Sequence, residues 1–124
     1  MVRRLPTDQD APRAARATVE DAVLRLRLAE HRAQDASLIV SELVTNAVIH
    51  GPPGEVELRV DGDEHLLRIE VEDAGTDAFH WPEPQIPRSR GLDLVELFAD
   101  RCGLTQDRST VVWCEIDLDA AVTG

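Results

Sequence analysis

The sequence is poor in aromatic side chains and in positive charge. Its 124 residues include 2 Phe, 2 Trp and no Tyr, so the core has to be built from Leu, Val, Ile and Ala. There are 13 basic and 24 acidic side chains, and the formal net charge is −11. A field of this sign repels phosphate backbones and anionic lipid head groups. We therefore expect neither a nucleic acid nor a membrane surface as a partner.

Long apolar runs and an export signal are also missing. No apolar run approaches the ~20 residues that span a bilayer. The first ten residues, MVRRLPTDQD, carry two arginines with no apolar segment after them. The expected location is the cytoplasm, where Cys102 and Cys114 should be reduced thiols. These two cysteines fall in adjacent predicted strands, so a disulfide between them is the minor alternative. A zinc site is less favoured still, because two thiols alone cannot supply its four ligands.

The chain length predicts one domain over residues 1–124, beginning with a flexible segment over residues 1–9. Helical periodicity runs over residues 12–28 and again over residues 29–49. The second helix should stop at the sequence GPPG, where two prolines stand between two glycines.

After that stop, the apolar period changes from helical to two. Two alternating stretches, EVELRVD and LLRIEVE, predict an antiparallel hairpin that ends near Asp73. Three prolines then exclude a regular element over residues 76–90, a loop long enough to be functional. A helix is expected over residues 91–99, followed by a second hairpin. This order predicts a two-layer α/β sandwich, with a mixed, mostly antiparallel sheet and helices on one face.

A polar stripe runs through the otherwise apolar stretch SELVTNAVIH. At about 100° per residue, Glu42, Asn46 and His50 fall within one ~80° arc of the second helix. On the helix alone, a solvated face is the simpler interpretation. Three apolar side chains and no Lys or Arg share that arc, however, which favours the wall of a cleft. In a cleft, a carboxylate can accept a proton and an amide oxygen can bind Mg²⁺.

Two further features lie downstream. Asp73 ends a strand and is followed by Ala74 and Gly75, so its carboxylate could accept a hydrogen bond from an exocyclic amine while the glycine lets a flat base approach. The sequence SRGLDL opens a helix at Gly91, where free backbone N–H groups favour a phosphate. Each feature alone is more simply a turn or a solvated loop. Their ordered combination is what favours a nucleotide site.

This ordered set resembles the GHKL (Bergerat-fold) ATP-binding domains, and in particular the stand-alone anti-sigma factor serine/threonine kinases. SELVTNAVIHG is similar to the family's N box, EDAGTD to its first glycine box and SRGLDLVELFADRCG to its second. The resemblance implies ATP and Mg²⁺ as cofactors, Glu42 as the catalytic base and Asn46 as the Mg²⁺ ligand. Arg88 and Arg90, next to the helix start, could add charge-assisted contacts to a phosphate. Together, the residues and the resemblance give the following candidate nucleotide contacts: Asn46, His50, Asp73, Gly75, Arg88, Arg90, Gly91, Leu92 and Thr110.

The resemblance further implies phosphorylation of a small anti-anti-sigma (STAS-type) partner, binding of a sigma factor, or both, with a homodimer as one candidate assembly. Residues 76–90 would be the ATP lid. Two positions depart from the family pattern: Asp77 and Ser89 stand where glycines are usual. The alternative function is therefore a non-catalytic or weakly ATP-binding regulator that sequesters a partner.

Overall fold

The computed structural model describes residues 1–74, 95 and 98–118. These residues form two helices and five strands along the chain. The elements are β1 (Val2–Pro6), α1 (Ala11–Leu26), α2 (Glu30–His50), β2 (Glu55–Gly62), β3 (Leu66–Asp73), β4 (Arg101–Gln106) and β5 (Thr110–Asp117).

The strands form one sheet in the order β1-β2-β3-β5-β4. Each described pair of neighbouring strands is antiparallel, whereas the sequence predicted a mixed, mostly antiparallel sheet. Successive strand residues point to opposite faces, so the alternating apolar residues of β2 and β3 all point to the same side. Leu58, Leu67 and Ile69 are completely buried there.

Both helices cover that apolar side of the sheet. Helix α1 packs on α2, β1 and β2, and α2 also contacts β3 and β5. Val19 of α1 and Val40 and Val44 of α2 have no exposed surface. The predicted two-layer α/β sandwich with helices on one face is confirmed. In the described ranges, no helix is long and apolar enough to cross a membrane.

The first strand corrects one expectation. The sequence predicts residues 1–9 as flexible, which is wrong for Val2–Pro6, because these residues pair with β2 as the edge strand β1. Leu5 is the one buried residue of this strand, at 2% exposure, and it lies opposite Val56. A single inward side chain in five residues produces too little alternation to be recognised as a strand.

The predicted helix over residues 91–99 is described only at its end, where the backbone N–H of Ala99 donates to the carbonyl of Val95 at 2.9 Å. Val95 has no exposed surface and belongs to the core.

The other face of the sheet carries an ion-pair network. Arg68 Nη1 donates to Glu115 Oε2 at 2.7 Å, and Arg101 Nε donates to Glu115 Oε1 at 2.9 Å. The hydrogen bonds from Arg101 and then Arg68 hold the pKa of the Glu115 carboxyl below its ordinary value. Arg68 also lies over the ring of Trp113, 4.6 Å from its centroid. This network ties β3, β4 and β5 together on the side that the helices leave uncovered.

Replacing Glu115 with Gln is expected to lower the free energy of unfolding by about 1 kcal/mol near neutral pH, because the contacts lose their charge. The folded pKa is depressed, so this contribution is present above the unfolded pKa of about 4.3 and is lost as the pH falls through the folded value. Urea unfolding of both proteins between about pH 7 and about pH 3 measures the difference. If the difference in unfolding free energy between the two proteins is the same at every pH in that range, the depressed pKa of Glu115 is contradicted.

Candidate functional site

A pocket lies where the C-terminal half of α2 meets the end of β3 and the start of β5. The register of the sheet accounts for this meeting, because Asp73 and Thr110 are Cα partners at adjacent ends of their strands. The pocket is lined by Leu43, Asn46, Ala47, His50, Gly51, Val71, Asp73, Thr110 and Val112.

The pocket combines apolar walls with a few buried polar groups. Leu43 and Val71 are 3% and 2% exposed, and they belong to the same hydrophobic core that holds the sheet to the helices. Asn46 is 9% exposed and Thr110 is 2% exposed, so both polar side chains are withdrawn from bulk water. Mostly apolar walls with a small number of convergent polar groups are typical of small-molecule sites.

Thr110 belongs to a polar cluster at the pocket end of the β4–β5 hairpin. Gln106 Nε2 donates to Thr110 Oγ1 at 3.4 Å, and the two residues are Cα partners in the sheet. The preceding residue, Ser109, donates through Oγ to Glu72 Oε2 of the neighbouring strand β3. These contacts hold the start of β5 against the end of β3.

Helix α2 ends against the carboxylate of Asp73. The backbone N–H of Gly51 donates to the carbonyl of Ala47 at 2.9 Å and closes the last turn. A Cβ added at Gly51 would lie 2.6 Å from that carbonyl oxygen and 3.0 Å from Asp73 Oδ2. Real Cβ atoms do not approach a backbone oxygen to 2.6 Å, so a side chain at residue 51 would force the Ala47 carbonyl to move. The Asp73 carboxylate would also have to shift slightly.

The structure brings together Asn46, His50, Asp73 and Thr110 among the residues singled out from the sequence. His50 is exposed at the end of α2. Glu42 is half-buried and is not among the lining residues; it precedes Asn46 by one helical turn. The roles suggested for these side chains stay predictions.

The remaining predicted contacts belong to the loop and the helix start that follow β3. Gly75, Arg88, Arg90, Gly91 and Leu92, together with Asp77 and Ser89, lie outside the described residues. Their proposed contacts to a nucleotide depend on the sequence alone.

The pocket contains an oxygen donor of the kind that Mg²⁺ takes, the side-chain amide of Asn46. Across residues 1–74, 95 and 98–118, no group of three or more His, Cys, Asp or Glu side chains is placed to hold a metal ion. Mg²⁺ is usually bound by one or two protein oxygens, with phosphate oxygens and water completing its shell. The amide oxygen of the buried Asn46 fits that requirement.

Comparisons with known proteins agree with this geometry. The sequence profile of the histidine kinase-like ATPase domain matches residues 5–115. The chain belongs to this family. Within it, the chain is 29% identical over 109 residues to the anti-sigma F factor of Bacillus cytotoxicus, covering 77% of this chain and 75% of that protein. The anti-sigma F factor of Bacillus thuringiensis is 28% identical over 109 residues, with the same coverage.

Solved structures show the same ATPase-domain fold. The structure of the RsbU and RsbW domains of Rv1364c from Mycobacterium tuberculosis superposes with a TM-score of 0.71 at 21% identity, covering 95% of this chain and 31% of that one. The histidine kinase domain of Erythrobacter litoralis EL346 has a TM-score of 0.57 at 28% identity, covering 71% of this chain and 45% of that one. The resemblance to GHKL domains of the anti-sigma kinase-like branch is confirmed.

The pocket also contains residues that the sequence did not mark as functional. Gly51 was predicted only as a helix stop, because nothing in the sequence shows that the helix end meets the strand carrying Asp73. Leu43, Ala47 and Val112 were not singled out from the sequence. An apolar residue that faces both the core and a pocket has no separate sequence signal, since burial alone explains its type.

Replacing Gly51 with Ala is expected to lower the free energy of unfolding by about 1–3 kcal/mol, because the new methyl group must displace the Ala47 carbonyl and the Asp73 carboxylate. Denaturant unfolding of both proteins measures this cost. The same substitution in an Asp73→Ala background should cost less, since one of the two clashes is then absent. Equal costs in the two backgrounds would contradict the close approach between Gly51 and Asp73.

Proposed function

We propose that this chain binds ATP with Mg²⁺ and is a serine/threonine protein kinase of the anti-sigma type. The observation that supports this most directly is the pocket itself. A glycine at the end of α2 leaves room for the carboxylate of Asp73 at one end of an apolar cleft, and a buried amide, Asn46, lines the same cleft.

The Asp73 end of the pocket suits adenine. Its carboxylate is a hydrogen-bond acceptor for the exocyclic N6 amine of the base. Thr110 supplies a buried hydroxyl beside it, and the side chains of Val71 and Val112 offer apolar surface for the faces of a flat ring. A carboxylate on the N6 amine distinguishes adenine from a base that carries a carbonyl oxygen at that position.

The α2 side of the pocket suits the phosphates. Mg²⁺, when bound, would neutralise charge on the phosphate oxygens, and Asn46 is the residue proposed to hold it through its amide oxygen. His50, at the exposed end of the same helix, would lie beside the nucleotide. The sequence adds further proposed contacts from residues after β3: Gly75, Arg88, Arg90, Gly91 and Leu92.

Glu42 is the proposed base. In the transfer, the hydroxyl oxygen of a serine or threonine on the partner forms a bond to the γ-phosphorus while the bond to the β–γ bridging oxygen breaks, and the hydroxyl proton passes to the Glu42 carboxylate. Glu42 is half-buried, one turn before Asn46, and it does not line the pocket proposed for adenine. That placement suits a group that must reach a protein substrate.

The proposed protein partners follow from the relatives. Two similar proteins are anti-sigma F factors, which supports a sigma factor, an anti-anti-sigma (STAS-type) protein, or both as partners of this chain. A homodimer is the assembly proposed with them, and the cytoplasm is the proposed location. The net charge of −11 favours a partner surface with basic side chains.

The second candidate function is a regulator that sequesters its partner without phosphoryl transfer. Asp77 and Ser89 favour it, because they replace glycines in the two segments proposed to surround the phosphates. A carboxylate near the phosphates would weaken nucleotide binding by repulsion. This function and the kinase share the fold and the partner, and they differ in whether phosphate is transferred.

Replacing Asp73 with Asn is expected to weaken ATP–Mg²⁺ binding by about 10–100-fold, because a charged acceptor for the N6 amine is lost. Calorimetric titration of ATP–Mg²⁺ into wild type and variant measures the two dissociation constants. Asp21→Asn, the same change at an exposed position on α1, is the matched control and should bind like wild type. Unchanged affinity in Asp73→Asn would remove Asp73 from the site, and no saturable binding in wild type would overturn the proposed function.

Replacing Glu42 with Gln is expected to leave ATP affinity within about threefold of wild type and to slow phosphoryl transfer to a protein partner by about 100-fold or more. Incubation with labelled ATP and candidate partners measures transfer, with Glu20→Gln, an exposed position on α1, as the matched control. Transfer at the wild-type rate in Glu42→Gln would exclude Glu42 as the base. ATP binding without transfer in wild type would favour the sequestering regulator.

A further inference from the structure

The two cysteines of the chain face each other across the last hairpin. Cys102 of the edge strand β4 and Cys114 of β5 are Cα partners, and both are in the reduced thiol form. Cys114 has no exposed surface and belongs to the core, whereas Cys102 is half-buried at its edge. Neither cysteine lines the pocket described above.

Their geometry is already that of a cross-strand disulfide. Directly opposed residues of antiparallel strands have Cα atoms about 4.5–5.5 Å apart, and this lies within the range of about 4.4–6.8 Å between the Cα atoms of two disulfide-bonded residues. The two side chains are also close enough to share a hydrogen bond. A bond between the sulfur atoms therefore requires side-chain rotation and no rearrangement of the strands.

The two thiols differ in how readily they can be attacked. The hydrogen bond with Cys102 and then burial raise the pKa of the Cys114 thiol. Cys114 therefore stays protonated and shielded from water. Cys102, on the edge strand and half-buried, is the thiol that a small reagent in solution reaches first.

We propose that Cys102 and Cys114 form an oxidation site at which a hydroperoxide converts the two thiols into an intramolecular disulfide, with Cys102 as the reacting thiol and Cys114 as the resolving thiol. This modification site is independent of the nucleotide pocket and of the proposed kinase activity.

Hydrogen peroxide is the only oxidant that this reaction needs, because it accepts the two electrons that the two thiols lose. The Cys102 thiolate attacks one oxygen of hydrogen peroxide, the O–O bond breaks, and the product is a sulfenic acid at Cys102 with one water formed after proton transfer. The Cys114 sulfur then attacks the Cys102 sulfur, the S–O bond breaks, and the leaving hydroxide takes the Cys114 proton as a second water. Two thiols lose two hydrogen atoms and two electrons, and the peroxide is reduced to two waters.

The disulfide would join β4 to β5 on the core side of the hairpin. The bond closes the turn over residues 107–109 into a covalent loop, so it restricts the unfolded chain more than the folded one. An increase in melting temperature of about 5–10 °C is expected for a loop of this size in a domain of this size. The change should be reversed by a dithiol reductant.

Intact-mass measurement of the full chain after hydrogen peroxide treatment tests this site. Wild type is expected to lose the mass of two hydrogen atoms, to become resistant to thiol alkylation at both cysteines, and to melt at a higher temperature. Dithiothreitol should restore all three properties. Cys102→Ser should leave Cys114 unoxidised, because the reacting thiol is absent. Cys114→Ala should leave a sulfenic acid at Cys102, which dimedone traps as a mass adduct.

Each departure from this pattern overturns a defined part of the proposal. Two alkylatable thiols after peroxide treatment of folded wild type would exclude the oxidation site, as would a disulfide that links two chains. A dimedone adduct at Cys114 in Cys102→Ser would reverse the assigned order of the two thiols. A melting temperature that falls when the disulfide forms would show that the bond strains the hairpin. Cys102→Ser changes a half-buried position, so the test does not depend on whether the buried Cys114→Ala variant folds.

Discussion

The site depends on one steric constraint, the contact between the end of α2 and the carboxylate of Asp73. Residue 51 closes the last turn of α2 on the carbonyl of Ala47, and a Cβ there would approach Asp73 Oδ2 to 3.0 Å. A side chain at residue 51 would therefore displace the Ala47 carbonyl and crowd the Asp73 carboxylate. Because the helix also supplies Asn46, this contact determines how the amide and the carboxylate are held in one pocket.

The rest of the fold keeps those two elements in register. The ladder between β3 and β5 places Thr110 opposite Asp73, and the core beneath the pocket, including Leu43 and Val71, holds α2 against the same strands. Leu43 and Val71 thus belong both to the core and to the pocket wall, so a substitution that alters core packing should also alter the geometry of the pocket. Cys114 lies on the same strand β5 as Thr110 and Val112 of the pocket, but it comes after both of them and does not line the pocket.

Much of the architecture could be predicted from the sequence, because α2 and the β2–β3 hairpin have strong periods and clear stops. The strand β1 could not, since only Leu5 is buried in it and pairing with β2 is a long-range effect. In the site, Asn46 and Asp73 were marked by their residue types within the motifs, and Thr110 was implied by the resemblance alone. Gly51 was not, because its role exists only where two distant segments meet. The position of Glu42 outside the pocket likewise needed the structure, since helical spacing alone does not show where the pocket ends.

The central claim is that Asp73 recognises an adenine N6 amine in this pocket. Comparing the dissociation constants of ATP–Mg²⁺ and inosine triphosphate–Mg²⁺ for the wild-type chain tests it most directly, because inosine carries an oxygen where adenine carries the amine. Inosine triphosphate is expected to bind at least about tenfold more weakly, since its oxygen would face a carboxylate that needs a donor. Equal affinities for the two nucleotides would contradict the account.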